Sequence, residues 1–209
     1  MYEGILFWNV DTQIDFIEPT GKLYVKGAEK LKPVLKKITH FATENQIRVI
    51  NTCDFHLVHS AELFGKPDFV HTFPEHCMAG TSGAEFVAET RPVFPAIVDW
   101  MAHLAILPQL ANAKQYRNIV IRKDAFDVFE GNPYADKILD LIHPDKIFVY
   151  GVSTNICVDR AVCGLVQRGY KVFVFENAIK ELPKIPLPVK HWKELGVKMI
   201  SFGKVKKYL

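Results

Sequence analysis

The chain has 209 residues, 49% of them hydrophobic and 23% charged, with a formal net charge of +3. These are ordinary globular values: they exclude a disordered chain and leave too little positive charge to argue for a nucleic-acid partner. No apolar run reaches the length of a membrane span, and no basic region followed by a cleavable apolar one opens the chain. The four cysteines, Cys53, Cys77, Cys157 and Cys163, form no CxxC pair or secreted framework, so a cytoplasmic protein with no membrane partner is expected.

Ile5–Val10 is an almost continuous apolar run, as expected of a parallel strand covered on both faces. It delivers Asp11-Thr12-Gln13-Ile14-Asp15-Phe16. In open α/β sheets the chemistry gathers at the carboxyl ends of strands, so Asp11 is a candidate functional carboxylate; a turn or capping aspartate is the plainer alternative. The spacing of Leu31, Val34, Leu35, Ile38 and Phe41 predicts an amphipathic helix over Ala28–Glu44. Arg48–Thr52 reads as the second strand, followed directly by Cys53-Asp54-Phe55-His56. A long polar loop then runs through Glu62, Asp68 and His71 to Phe73-Pro74-Glu75-His76-Cys77. Asp54-x-His56 fixes two potential ligands at one strand end, and His76 could return a third. Three protein ligands with open positions is the pattern of a catalytic metal site, although loop histidines that meet nothing would read the same way.

Between Arg91 and Gln115, Pro92, Pro95 and Pro108 interrupt the text, and the apolar stretch Ala96–Leu107 predicts a helix that breaks before Pro108. It could serve as a subunit contact or as a cover. Asn118–Arg122 is the third strand and delivers Lys123. A lysine just past a buried strand is commonly solvated, but this one emerges on the same edge as Asp11, where it can pair with a carboxylate. A turn at Gly131-Asn132-Pro133 precedes a helix over Tyr134–Ile142, and Lys146–Tyr150 is the fourth strand. The apolar spacing of Val158, Ala161, Val162 and Leu165 predicts a helix over Val158–Arg168, with Ser153, Thr154 and Asn155 as N-cap candidates. Cys157 would stand in its first turn, at the positive end of the helix dipole and beside free N–H groups. That position favours thiolate and offers donors to an oxyanion; a buried structural cysteine is the alternative. Lys171–Phe175 is the fifth strand. Pro183, Pro186 and Pro188 lead to a short helix around Trp192, and Val197–Phe202 is the last strand. Strands alternating with helices imply a single α/β domain, a three-layer doubly wound, mainly parallel sheet with helices on both faces. No glycine-rich dinucleotide fingerprint follows any strand, which sets aside a dinucleotide-dependent oxidoreductase.

Asp11 in Val-Asp-Thr-Gln-Ile-Asp-Phe, Lys123 in Arg-Lys-Asp-Ala-Phe and Cys157 in Gly-Val-Ser-Thr-Asn-Ile-Cys-Val together resemble the isochorismatase-like cysteine hydrolases. The resemblance runs over most of the chain and implies that Asp11, Lys123 and Cys157 form a catalytic triad. It also implies a cis peptide before Ser153, whose N–H joins that of Cys157 in an oxyanion hole. Asp54-x-His56 with Phe73-Pro74-x-His76-Cys77, and Gly80-Thr81-x-Gly83-Ala84-Glu85-Phe86 after it, looks like the nicotinamidase branch. That likeness implies a metal, zinc with iron or manganese as alternatives, on Asp54, His56 and His76. A fourth ligand varies within the branch; Glu62 is the first candidate here, with Ser60, His59 and His71 behind it. Phe16 and Phe73 would flank a nicotinamide ring, Phe73 standing where many nicotinamidases have tryptophan, and the Arg91–Gln115 segment looks longer than usual. The implied activity is hydrolysis of nicotinamide to nicotinate and ammonia in NAD salvage, by a homo-oligomer. Rival readings are a hydrolase of another small amide or ureide, a non-catalytic scaffold on the same fold, and a redox-active thiol protein.

Overall fold

The computed structural model describes residues 2–102 and 106–209. Its strands are β1 (Ile5–Val10), β2 (Arg48–Asp54), β3 (Ala96–Val98), β4 (Asn118–Lys123), β5 (Lys146–Val152), β6 (Lys171–Lys180) and β7 (Lys198–Ile200). They form one sheet in the order β3-β4-β2-β1-β5-β6-β7, and every pairing is parallel, so the expected mainly parallel sheet is parallel throughout. Helices α1 (Ile14–Ile17), α2 (Lys32–Glu44), α3 (Ile106–Gln115), α4 (Val128–Gly131), α5 (Ala135–Ile142), α6 (Cys157–Gln167) and α7 (Val189–Glu194) connect and cover it.

The apolar run of β1 is explained by burial on both faces. Leu6, Trp8 and Val10 pack with Ile138 and Leu139 of α5 and with Val158, Val162 and Leu165 of α6. Ile5 and Phe7 face the opposite way, towards Leu35, Ile38 and Ala42 of α2. With both faces dry, polar side chains have little place along the strand except at its carboxyl end, where the sheet opens. The chain leaves β1 for β2 on one side and pairs it with β5 on the other. The strand order therefore switches between β1 and β5, the position at which open α/β sheets form their crevice. At Gly151 (φ +122°) the two strands approach so closely that a Cβ would lie 2.0 Å from the Val10 carbonyl oxygen.

The predicted helix over Ala96–Leu107 is not what forms. Ala96–Val98 is an edge strand against β4, with Ala96 and Val98 buried and Ile97 exposed, and the described helix of this stretch is α3, Ile106–Gln115. An apolar residue on the outward position hid the period of two. Pro108 does not end the helix: it lies within α3. Residues 103–105 of that stretch lie outside the described residues. Elsewhere β2, β5 and β6 run beyond their expected ends, to Asp54, Val152 and Lys180, and a 3-10 turn over Ala28–Leu31 leads into α2, which has Pro33 in its opening turn. No helix among the described residues is long and apolar enough to cross a membrane.

Candidate active site and metal centre

Four side chains converge at the carboxyl edge of the sheet because parallel register sets their strand ends side by side. Asp11 follows β1, Asp54 and Lys123 end β2 and β4 as aligned partners, and Cys157 opens α6 after β5. Lys123 Nζ lies 3.0 Å from Asp11 Oδ2, donates to Asp54 Oδ1 and also reaches the Ala125 carbonyl at 3.2 Å. The Cys157 sulfur and one oxygen each of Asp11 and Asp54 lie within 4.8 Å of one another. The Thr52 hydroxyl donates to Asp11 Oδ1 at 2.6 Å, and the Asp11 backbone sits at φ 48°. All four side chains are buried.

Burial makes every charge here depend on its neighbours. Burial opposes the Lys123 ammonium, but Asp11 and Asp54 outweigh it and push its pKa well up, so it stays charged. Asp54 would rise on burial, yet Lys123 and then His76 hold it well below the usual carboxylate range. Asp11 goes the other way: burial raises it, against the pull of Lys123. Cys157 is also raised by burial, with Lys123 lowering it, so its resting form is the thiol.

The junction before α6 departs from expectation in its capping. The N-cap residue is Ile156, with no side-chain bond, rather than Ser153, Thr154 or Asn155. The Val152–Ser153 peptide is cis, and the Ser153 carbonyl accepts the N–H groups of Ile156 and Val158, each at 3.1 Å. Asn155 spends its side chain on the segment after β6.

Beside this group, Asp54, His56, Glu62 and His76 place one potential ligand atom each within 4.8 Å of the others, all buried. His56 Nε2 stands 4.0 Å from Asp54 Oδ2 and 3.9 Å from Glu62 Oε1, and His76 Nε2 stands 3.5 and 3.9 Å from the same atoms. Asp54 Oδ2 and His56 Nε2 are buried with no hydrogen-bond partner. Orphaned buried donors and acceptors are costly, and a cation between them would satisfy both. The remaining ring nitrogens are held: His56 Nδ1 by Asp124 at 3.0 Å and His76 Nδ1 by the Pro74 carbonyl at 2.7 Å. This leaves both Nε2 atoms facing the centre, the arrangement that carboxylate or carbonyl partners give to ligating histidines. Two imidazoles and two carboxylates fit a first-row divalent ion. Of the candidates for a fourth position, Glu62 is the one brought in; the Ser60 hydroxyl bonds Asp124, and His59 and His71 are exposed. Without an ion, burial and then Asp54 push Glu62 above the usual carboxylate range.

A small cavity opens onto both groups, lined among others by Asp54, Glu62, His76, Ser153 and Cys157. Phe16 and Phe73 both line it, their ring centroids 5.3 and 6.3 Å from that of His76. Phe126 adds a third aromatic, 6.2 Å from Phe73, and its N–H donates to Glu62 Oε2 at 2.5 Å. Sequence reasoning missed Phe126, Asp124, Gln13 and Asp15. Gln13 bonds both the N–H and the carbonyl of Asp54 at 2.8 Å, and Asp15 Oδ2 accepts the Cys77 N–H at 2.7 Å beside His76. The signal for both was the run of polar residues straight after β1, on a stretch too buried to leave them unbonded.

Residues 102–195 match the Isochorismatase domain profile. The chain is 27% identical over 164 residues to the nicotinamidase/pyrazinamidase of Mycobacterium tuberculosis, covering 77% of each protein. Among solved structures it superposes on the pyrazinamidase of Pyrococcus horikoshii in complex with zinc with a TM-score of 0.73 at 23% identity, covering 95% of this chain and 99% of that one. The N-carbamoylsarcosine amidase of Thermoplasma acidophilum gives 0.69 at 21%, covering 94% and 95%. The two structures speak to the fold, which is the isochorismatase-like one. Together with the profile and the relative, they bear out the resemblance read from the sequence.

Proposed function

We propose that this chain, an isochorismatase-like hydrolase of amide bonds, is a metal-dependent cysteine amidase that converts nicotinamide to nicotinate and ammonia. The observation that carries the reading is that Asp11, Lys123 and Cys157 meet beside Asp54, His56, Glu62 and His76, with a cavity opening onto Cys157, Asp54, Glu62 and His76. Asp54, His56, Glu62 and His76 would hold a zinc ion, with iron or manganese suiting the same donors, and the ion would supply a Lewis acid towards the ring's pyridine nitrogen. Phe16 and Phe73 would hold the ring's faces.

Cys157 rests as a thiol, so its proton must leave as the sulfur attacks. Asp11 lies within reach, and its raised pKa matches it to that task better than an ordinary aspartate. The Cys157 sulfur bonds the amide carbon while Asp11 takes the thiol proton. The oxyanion rests on the N–H groups of Ser153 and Cys157, a contribution of about 3–4 kcal/mol for one such donor. The C–N bond then breaks, Asp11 returns its proton to the leaving nitrogen, and ammonia departs. Water attacks the thioester carbon and gives a proton to Asp11; the acid is released and the thiol restored. Lys123 keeps Asp11 oriented and offsets negative charge throughout. The setting we assign is NAD salvage in the cytoplasm, by a homo-oligomer.

The likeness to an N-carbamoylsarcosine amidase favours a second reading, hydrolysis of another small amide or ureide. The wall weighs against an anionic substrate: Leu23, Val25, Phe73, Phe126 and Leu182 line the cavity, and no arginine or lysine stands among its described lining residues. Ammonia release from nicotinamide by purified protein, with and without chelator, tests the proposal. We expect turnover that a chelator abolishes and added zinc restores; turnover on carbamoyl amino acids but not on nicotinamide would establish the second reading.

A further inference from the structure

Asn155 is buried two residues before Cys157 and makes no bond to the helix it precedes. Its Nδ2 donates to the carbonyls of Leu182 and Ile185, both at 2.9 Å, and its Oδ1 accepts the Leu182 N–H at 3.0 Å. These bonds reach into the connection between β6 and α7, which belongs to no strand or helix and contains Pro183, Pro186 and Pro188. Each proline removes a backbone donor, so this connection has few N–H groups with which to tie itself down. The Asn155 amide supplies both kinds of partner from the rigid junction that also carries Cys157. Leu182, the residue held at both its N–H and its carbonyl, lines the cavity beside Ile156 and Cys157.

We infer that Asn155 is a positioning residue that fixes Leu182 as a wall of the cavity, and that Leu182 determines which ring substituents the site admits. The first half stands on geometry alone; the second rests on the amidase reading above. A wall held by three hydrogen bonds excludes bulk sharply, whereas the same leucine on a loosened connection would give way. In an apolar pocket one methylene is worth about 10–200-fold in discrimination.

The test uses Asn155→Ala, Asn155→Asp, Leu182→Ala and the Asn155→Ala/Leu182→Ala double variant. Asp keeps the acceptor for the Leu182 N–H but turns oxygens onto two carbonyls, so it should behave as Ala does. Trypsin cleavage after the exposed Lys184, followed by mass spectrometry, reads the connection directly. We expect at least about tenfold faster cleavage there in both Asn155 variants, because each loses two or more of the hydrogen bonds that hold the connection and cleavage follows the open population. The second readout is kcat/KM for ring-alkylated nicotinamides divided by that for nicotinamide. Asn155→Ala and Leu182→Ala should each raise this ratio by about tenfold at the same ring position, and the double variant should do no better than either, since both act on one wall. Unchanged trypsin cleavage in Asn155→Ala overturns the positioning role. A ratio that moves with Leu182→Ala but not with Asn155→Ala, or with neither, overturns the link to specificity. If the wild-type protein releases no ammonia from nicotinamide, the amidase reading falls with the specificity half, while the trypsin comparison still decides whether Asn155 holds the connection.

Discussion

The two sides of the candidate site are made of different material. Asp11, Asp54, Lys123 and Cys157 ride on strand ends or a helix start, and their mutual distances follow from a parallel ladder. His56, Glu62 and His76 come from the connection after β2, which forms no strand or helix until the short 3-10 turn at Ser82–Ala84. That connection is held by side-chain bonds: Asp124 to His56, Asp15 to the Cys77 N–H, the Phe126 N–H to Glu62. A sheet places catalytic groups as a by-product of folding, whereas a loop must be tied to the same place residue by residue. The strand-borne side should therefore fail through chemistry or global stability, and the loop-borne side through loss of binding.

The largest effect is expected at the nucleophile. Cys157→Ala should lower kcat by about 10⁴-fold or more while the fold and the metal content persist, as removal of a covalent nucleophile does in other hydrolases. Ammonia release and elemental analysis on the same preparation check it; substantial residual turnover would rule out the thioester. Lys123→Met comes next, and its effect should be on the whole molecule. Removing the cation leaves Asp11 and Asp54 buried together and unpaired, at a cost of about 3–5 kcal/mol, visible as a lower urea midpoint. A smaller, local loss is expected on the loop-borne side. Asp124→Ala frees the His56 ring and should weaken metal affinity by about 10–100-fold in chelator competition, with an unchanged urea midpoint for the metal-free protein. An equal loss of global stability would erase the distinction between the two sides. Smallest of all, Phe94→Ser beside the outer edge strand should move stability by no more than about 0.5 kcal/mol and leave turnover untouched, because its side chain already faces solvent.

The same division explains what was legible in the sequence. Asp11, Lys123 and Cys157 could be placed because each follows a recognisable apolar run, and α/β topology brings such ends together whatever lies between. Asp54-x-His56 was legible for the same reason. His76 could be offered as a returning ligand, but Glu62 was named only from a family pattern, since nothing in a polar loop tells how it folds back. Asp124 was passed over although it adjoins Lys123: the two alternate at the end of β4, one turned to the aspartates and the other to His56, and that choice depends on where the loop arrives. The edge strand Ala96–Val98 was read as helix because three residues carry too little period to tell the two apart. At Cys157 the dipole of a helix start is readable from sequence, but the burial that raises its thiol is not.

The single ammonium of Lys123, shared between Asp11 and Asp54, has an implication for anyone redesigning this protein. Under the proposed function, cation preference and nucleophile activation are not separate dials. A change that draws Asp54 harder towards a different ion alters how firmly Lys123 grips Asp11, and so retunes the acid–base step several ångströms away. Engineering one property would mean re-optimising the other in the same round of selection.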